Sequence, residues 1–277
     1  MRHRPRAVIL ATVALLLPVT LTACGEKTSR DDEAVLNGAW NAPCNPRQKV
    51  KFSDGRQSVA DDASGGAGYD AVIRQDLAHA DLNDDGLTDV VVVMTCVPRG
   101  QDAISGWSSV EAFLGRRDKS PQQLGEPLLM PAASCSEVIE QEVIEQLESE
   151  DASVKASVRL ASEDGCDQPP GEERTVELTM RKGEAVRVDP LSANFSHCEG
   201  TEGLAAAGNL VLYTRPHDDS LLAQFPRDAQ VFATDTTSEQ LDVTTQQSPD
   251  VKAQPGWRLA EVRDDRDFLG CAWLPPS

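Results

Sequence analysis

The sequence predicts a mainly β protein, an antiparallel, disulfide-stapled β-rich domain followed by a second, smaller β-unit, and three observations lead there. Val90-Val91-Val92-Val93-Met94 is a short β-branched run, apolar on both faces, which reads as a buried strand and not a helix. From Val154 the alternation is clean: Val154, Ala156, Val158 and Leu160 share one face, Val176, Leu178 and Met180 repeat the pattern, and Lys182-Gly183 turns into Ala185–Val188. Period-two segments joined by tight turns are hairpin-linked antiparallel strands. Thirdly, of seven cysteines, six lie from Cys44 onwards: Cys44, Cys96, Cys135, Cys166, Cys198 and Cys271. An even set of this kind in an exported chain forms three disulfides. An α+β arrangement stays open, because Ile139, Val143 and Leu147 recur at helical spacing while Val and Ile favour strands.

At the start of the chain, Arg2, Arg4 and Arg6 precede an apolar run from Ala7 to Leu21, interrupted by Thr12, Pro18 and Thr20. Charged, then apolar, then small residues make an export signal, too short and too abruptly ended for a spanning helix. The run closes on Leu21-Thr22-Ala23-Cys24, which resembles the lipobox of bacterial lipoproteins. The resemblance implies cleavage before Cys24, a diacylglycerol thioether on that cysteine (with palmitate among its acyl chains), and anchorage at the outer face of the cell membrane. The residues alone leave a second reading open, an ordinary secretory signal with Cys24 in a disulfide. Residues 1–23 are thus the signal peptide and 24–36 a polar, lipidated tether, with ordered structure starting near Asn37.

Further along, Lys49-Val50-Lys51-Phe52 alternates before a Ser53-Asp54-Gly55 turn, and Ser64-Gly65-Gly66-Ala67-Gly68 is a flexible loop. Ala71–Asp76 and Leu77–Ala80 lead through an acidic turn into the valine strand, and Ser108–Leu114 forms another strand. Pro190–Glu202 breaks the pattern. The β-rich domain therefore spans 37–190, a linker 191–203, and the second unit 204–277.

The acidic turn is Asp81-Leu82-Asn83-Asp84-Asp85-Gly86-Leu87-Thr88-Asp89. Asp81, Asn83 and Asp85 stand at alternate positions and converge when the loop curls over Gly86. Leu87 offers a backbone carbonyl and Asp89 a carboxylate, directly or through water. Hard oxygen donors in that number suit a structural calcium ion. Val92 stands where an EF-hand carries its bidentate glutamate, so an affinity on the order of 10⁻⁴ M or weaker is expected. A metal-free turn held by Asx hydrogen bonds is the alternative. From Tyr69 to Pro98 the segment resembles the calcium loops of FG-GAP (integrin-type) repeats, which implies a loop joining two strands; the motif occurs once. Trp40…Cys44, Asp54-Gly55, Ala80–Asp89, Val90–Val93 and Cys96 also follow one another as in a group of actinobacterial lipoproteins. That similarity implies a domain type and a Cys44–Cys96 pairing, and no activity. Six cysteines admit fifteen connectivities. Sequence order favours Cys44–Cys96, Cys135–Cys166 and Cys198–Cys271.

In the C-terminal segment, Gly208–Pro216, Leu221–Phe232, Pro255–Val262 and Phe268–Leu274 resemble a bacterial SH3-like domain over about seventy residues. The pattern departs where Arg215 is shifted, where Arg227-Asp228 replaces a turn glycine, and where Cys271 takes the usual tryptophan position. The resemblance implies a small five-strand barrel with Trp257 and Phe268 near its core. Its first and last strands would lie close, which suits Cys198–Cys271. It also implies ligand recognition by the first loop and an aromatic groove, carried by Tyr213, His217, Asp218, Asp219 and Trp257. From the residues alone, Tyr213, His217, Asp218 and Asp219 read first as solvated loop residues and Trp257 as a core residue.

Net charge narrows the partners. The formal value of −19 becomes −22 once the three arginines of residues 1–23 are removed. Such a chain has no electrostatic attraction to nucleic acid, and 4% aromatics offer no stacking platform. Three histidines remain (His79, His197, His217), without G-x-S-x-G, H-E-x-x-H, P-loop or Rossmann patterns, and without C-x-x-C. The expectation is a non-enzymatic, lipid-anchored surface protein that binds a cell-wall or protein ligand. Two alternatives stand beside it, an accessory lipoprotein of a membrane-bound enzyme or transporter, and a hydrolase.

Overall fold

The computed structural model describes residues 29–43, 45–59, 68–99, 107–130, 143–150, 152–159, 173–195, 198–240, 254–265 and 267–276. The export signal, Cys24, Cys44, Cys135, Cys166, His197 and most of the glycine loop lie outside these. The described chain is mainly β, as the alternation and the valine run require.

The valine run lies in β6 (Asp89–Pro98), and both its faces are covered. Val91 and Val93 pack into one core, while Val90, Val92 and Met94 pack into another. Around β6 stands a six-stranded antiparallel sheet with β3 (Arg56–Val59), β4 (Tyr69–Ile73), β5 (Ala78–Ala80), β7 (Trp107–Leu114) and β8 (Gln122–Gln123). On one face lie a short helix α1 (Arg30–Leu36) and the hairpin β1 (Ala39–Ala42)–β2 (Asn45–Lys51), contributing Val35, Leu36, Trp40, Val50 and Phe52. Trp40 stacks edge-on against Phe113 at 4.9 Å and donates its indole N–H to the Val35 carbonyl.

On the other face, Val154, Ala156 and Val158 of β10 (Val154–Arg159) meet Val176 and Leu178 of β11 (Glu173–Arg181). Val154 lies opposite Leu178 and Ala156 opposite Val176, so the alternating residues share the buried face. Residues 143–149 form β9 (Val143–Ser149), paired with β10. In the described part of the ambiguous segment the strand preference of Val143 and Ile144 therefore prevails, because β10 offers an open edge.

These strands belong to a nine-stranded antiparallel sheet. It continues through β12 (Glu184–Arg187) and β13 (Ser192–Ala193) into β17 (Asp267–Leu274), β16 (Arg258–Asp264), β15 (Gln230–Thr237) and β14 (Glu202–Ala206). Residues read as a linker thus carry a sheet strand. Ala193 pairs with both Val186 and Cys271. Asn194 donates from Nδ2 to the Pro127 carbonyl, and Met130 N–H donates to Asn194. The polar tether is also shorter than expected. Ser29 and Asp32 form a reciprocal capping box that starts α1, and Val35 and Leu36 bury its far end.

Cys198 and Cys271 are disulfide-bonded, as sequence order suggested. Cys96 is bonded to a cysteine outside the described residues.

Candidate functional site

The acidic turn joins β5 to β6, which pair antiparallel with Ala80 opposite Asp89. Its side chains fold back on its own backbone. Asp81 accepts the Asp85 N–H (3.0 Å) on one oxygen and the Gly86 N–H (2.8 Å) on the other. Asn83 accepts the Asp85 N–H at 3.2 Å, and Asp85 accepts the Leu87 N–H at 2.8 Å. Gly86 (φ 79°) and Asp84 (φ 57°) occupy the left-handed region that this curl demands.

Asp89 behaves differently. It is fully buried, accepts the Leu82 N–H (2.9 Å) on one oxygen and the Gly115 N–H (2.8 Å) on the other, and so clamps the turn to the end of β7. Burial pushes its carboxyl up to about 6, against the two N–H groups, with Asp85 and Asp81 adding to the rise. The structure therefore brings Asp81, Asn83 and Asp85 together at the surface and sets Asp89 behind them. Among the described residues, no group of three or more His, Cys, Asp or Glu side chains is arranged around a metal position.

Beside the turn lies a shallow cleft of about 410 Å³ lined by His79, Ala80, Asp81, Thr88, Ser149 and Glu150. His79 Nε2 lies 2.7 Å from Asp32, tying β5 to α1. Burial works to raise the Asp32 carboxyl, but the His79 contact and the Ser29 N–H and hydroxyl hold it below its ordinary value.

In the second unit, residues 213–221 form a loop braced at its base. Tyr213 exchanges two backbone hydrogen bonds with Trp273, and its ring meets Trp257 edge-on at 5.0 Å. Trp257 is completely buried, which corrects its assignment to a ligand groove: it packs beneath the loop with Phe195, Leu259 and Trp273. His217, Asp218 and Asp219 lie together at the tip, where His217 Nδ1 accepts the Asp219 N–H. Asp218 and Asp219 are exposed and His217 half-buried.

What braces this loop from outside had no local signal. Arg215, almost fully buried, pairs with Glu126 and donates to the Gly183 carbonyl. Thr214 donates its hydroxyl to Glu184 at 2.6 Å, and Glu184 also accepts the Leu221 N–H. Burial lifts the Glu184 carboxyl, partly offset by Thr214 and Leu221. A further buried carboxylate, Glu111 on β7, accepts the Ser109 hydroxyl (2.6 Å) and the Gln123 amide (3.3 Å). Burial pushes it up to about 7, opposed by those two donors. Gln123 in turn forms two hydrogen bonds with the Asn41 backbone. These partners stand 82 to 89 residues away from Asn41 and Arg215 in the chain, so only a tertiary structure reveals them.

No family model, curated protein or solved structure matches this chain.

Proposed function

We propose that this chain is an exported, lipid-anchored, non-enzymatic protein at the outer face of the cell membrane, whose C-terminal unit recognises a cell-wall or protein ligand. The observation that carries the reading is the placement of exposed apolar surface. Among the described residues, the exposed large hydrophobics are Leu204 (40%), Val211 (53%) and Leu222 (55%), all in the C-terminal unit. Leu222 pairs with Tyr213 across the base of the 213–221 loop, so apolar side chains flank the polar tip of His217, Asp218 and Asp219. Apolar flanks around a rigidly held polar tip are a common make-up for a recognition surface. The antiparallel succession β15–β16–β17 and the Cys198–Cys271 staple support the SH3-like reading of this unit, although these strands run on into the nine-stranded sheet and do not close a separate barrel of five.

The same proposal takes the acidic turn as a structural calcium position. Asp81, Asn83 and Asp85 would hold the ion with the Leu87 carbonyl, and the cation would offset the mutual repulsion of the carboxylates. Asp89, already committed to Leu82 and Gly115, would support the loop from behind.

The test is co-sedimentation of residues 25–277 with purified cell-wall sacculi, with and without calcium, beside a Val211→Asp/Leu222→Asp variant. Retention of the unaltered protein and its loss in the variant support wall recognition through the C-terminal unit. Failure of the unaltered protein to sediment sinks the wall ligand. Equal retention of both proteins removes the C-terminal surface from the reading and turns attention to the cleft beside the acidic turn.

A further inference from the structure

The exposed apolar surface of the C-terminal unit has an open main-chain edge beside it. Tyr213 faces Leu222 in one antiparallel bridge and Trp273 of β17 in another. Tyr213 N–H donates to the Trp273 carbonyl at 3.0 Å, and Trp273 N–H donates to the Tyr213 carbonyl at 2.8 Å. On its other side the ladder is closed by the neighbouring residues: Thr214 N–H donates to Leu221, and Ala223 N–H donates to Leu212. Leu222 therefore stands at a non-hydrogen-bonded position, where its own N–H and carbonyl point away from Tyr213. Among the described residues neither group has a hydrogen-bond partner.

One step further along, the same edge is occupied. Gln224 N–H donates to the Leu191 carbonyl at 2.8 Å, so another length of main chain lies against residue 224. No described residue continues that contact to Leu222. The edge also differs from β14, a terminal strand of the nine-stranded sheet. There a bulge between Gly203 and Ala206 and an ion pair from Glu202 to Arg258 work against further pairing. Leu222 instead presents an exposed apolar side chain, with exposed Val211 two residues from the opposed Tyr213 and so on the same face.

This edge is fixed in advance. Glu184 accepts the Leu221 N–H and the Thr214 hydroxyl, one on each side of the ladder. A rigid edge loses little freedom when a partner pairs with it. Beyond it Asp218 and Asp219 stand exposed at the loop tip, without a Lys or Arg partner among the described residues. They precede Leu222 by four and three residues. A side chain two positions along an added strand, about 7 Å away, comes beside them.

We propose that Leu222 is the docking point for an extended peptide of a partner protein, which adds as an antiparallel strand by exchanging two hydrogen bonds with the Leu222 N–H and carbonyl. An apolar peptide residue opposite Leu222 packs on Leu222 and Val211. A basic residue two positions later faces the same way and meets Asp218 and Asp219. The main-chain bonds supply affinity and these two side chains supply selectivity. Strand addition of this kind rests on the proposed recognition surface and narrows its ligand to a protein segment.

The test presents residues 25–277 to random linear peptides displayed on phage, counter-selected on the Val211→Asp/Leu222→Asp variant. Enriched peptides are expected to share an apolar residue followed two positions later by a basic one. The tightest of them is then synthesised with an N-methyl group on the amide of its apolar residue, which keeps every side chain and removes one donor. Binding is expected to fall about fivefold or more, the worth of one hydrogen bond. The Leu222 amide is expected to exchange rapidly in the free protein and slowly with the unmodified peptide bound. Absence of the enriched pattern, unchanged binding of the N-methyl peptide, or a Leu222 amide that exchanges equally in both states overturns strand addition. Co-sedimentation with sacculi separates that failure from failure of the surface itself. Retention that is lost in the variant, without peptide enrichment, keeps the surface and discards the peptide strand.

Discussion

The acidic turn and the 213–221 loop are both polar connections singled out by the sequence, and they differ in how much rests on buried charge from elsewhere in the chain. The turn is self-sufficient at its tip: Asp81, Asn83 and Asp85 satisfy N–H groups two to five residues away, while Asp89 reaches Gly115 and the Leu82 carbonyl accepts from Met180 and Thr179 of β11. The 213–221 loop is also closed on itself, by Thr214 N–H to the Leu221 carbonyl, the Ser220 hydroxyl to the Arg215 and His217 carbonyls and Asp219 N–H to His217 Nδ1. Its charged and hydroxyl side chains are braced in addition by Glu126, Glu184 and Gly183 from distant parts of the chain. A locally closed loop tolerates loss of one oxygen. One with remote braces depends in addition on a few buried charges.

The largest effect expected from this contrast is on Arg215. Replacing it by Ala leaves Glu126 buried without its cation, and breaking such a pair destabilises by about 3–5 kcal/mol. Chemical denaturation of Arg215→Ala measures it, and a loss below about 1 kcal/mol would show that the bracing is superficial. Next comes the staple beneath the same loop. Cys198 and Cys271 close a 73-residue separation, so a Cys198→Ser/Cys271→Ser protein should lose about 4 kcal/mol by the chain-entropy estimate.

The third prediction asks how a buried carboxylate fares without a cation. Glu111, unlike Glu126, meets only neutral donors, and its carboxyl stands at about 7 instead of the ordinary 4.5. The folded state then holds this proton more tightly than the unfolded state, so the stability it contributes is complete below pH about 4.5 and lost as pH rises to about 7. The loss amounts to about 3 kcal/mol. Melting curves across that window should slope downward in the unaltered protein and flatten in Glu111→Gln; parallel curves would contradict the assignment. Asp89→Asn should cost about 2 kcal/mol, because the amide retains one acceptor for its two buried N–H partners. The smallest effect is Asp85→Ala at the tip, about 1 kcal/mol or less without calcium. If calcium raises the melting temperature of the unaltered protein, that rise should vanish in Asp85→Ala; a rise that persists removes Asp85 from the donor set.

Legibility followed sequence distance. The Val90–Val93 strand and the alternating Val154–Val158 and Val176–Leu178 faces were readable because apolar periodicity is local and burial follows from it. So was the order strand, turn, strand around Asp81–Asp89. The helix α1 was read as tether although Ser29 and Asp32 carry a start signal, because seven residues give too little periodicity to weigh against a polar composition. Strand β13 is two residues long, below what alternation can reveal, so the linker hid a sheet strand. Trp257 looked like a groove residue because aromatic type alone cannot separate a floor from a wall. Arg215, Glu111 and Gln123 carried no local mark, since their meaning lies in groups brought to them by the fold.

The pairing of Ala193 with both Val186 and Cys271 makes β13 a narrow seam through which one sheet runs from β9 to β14. Heat capacity and proteolysis should feel that seam. A single endotherm is expected where two independent modules would give two, and cleavage between Pro190 and Glu202 should release no stably folded fragment. Mechanical load entering at the N-terminus would reach the C-terminal strands by shearing across this ladder, so the molecule would transmit a pull as one body instead of extending like beads on a string.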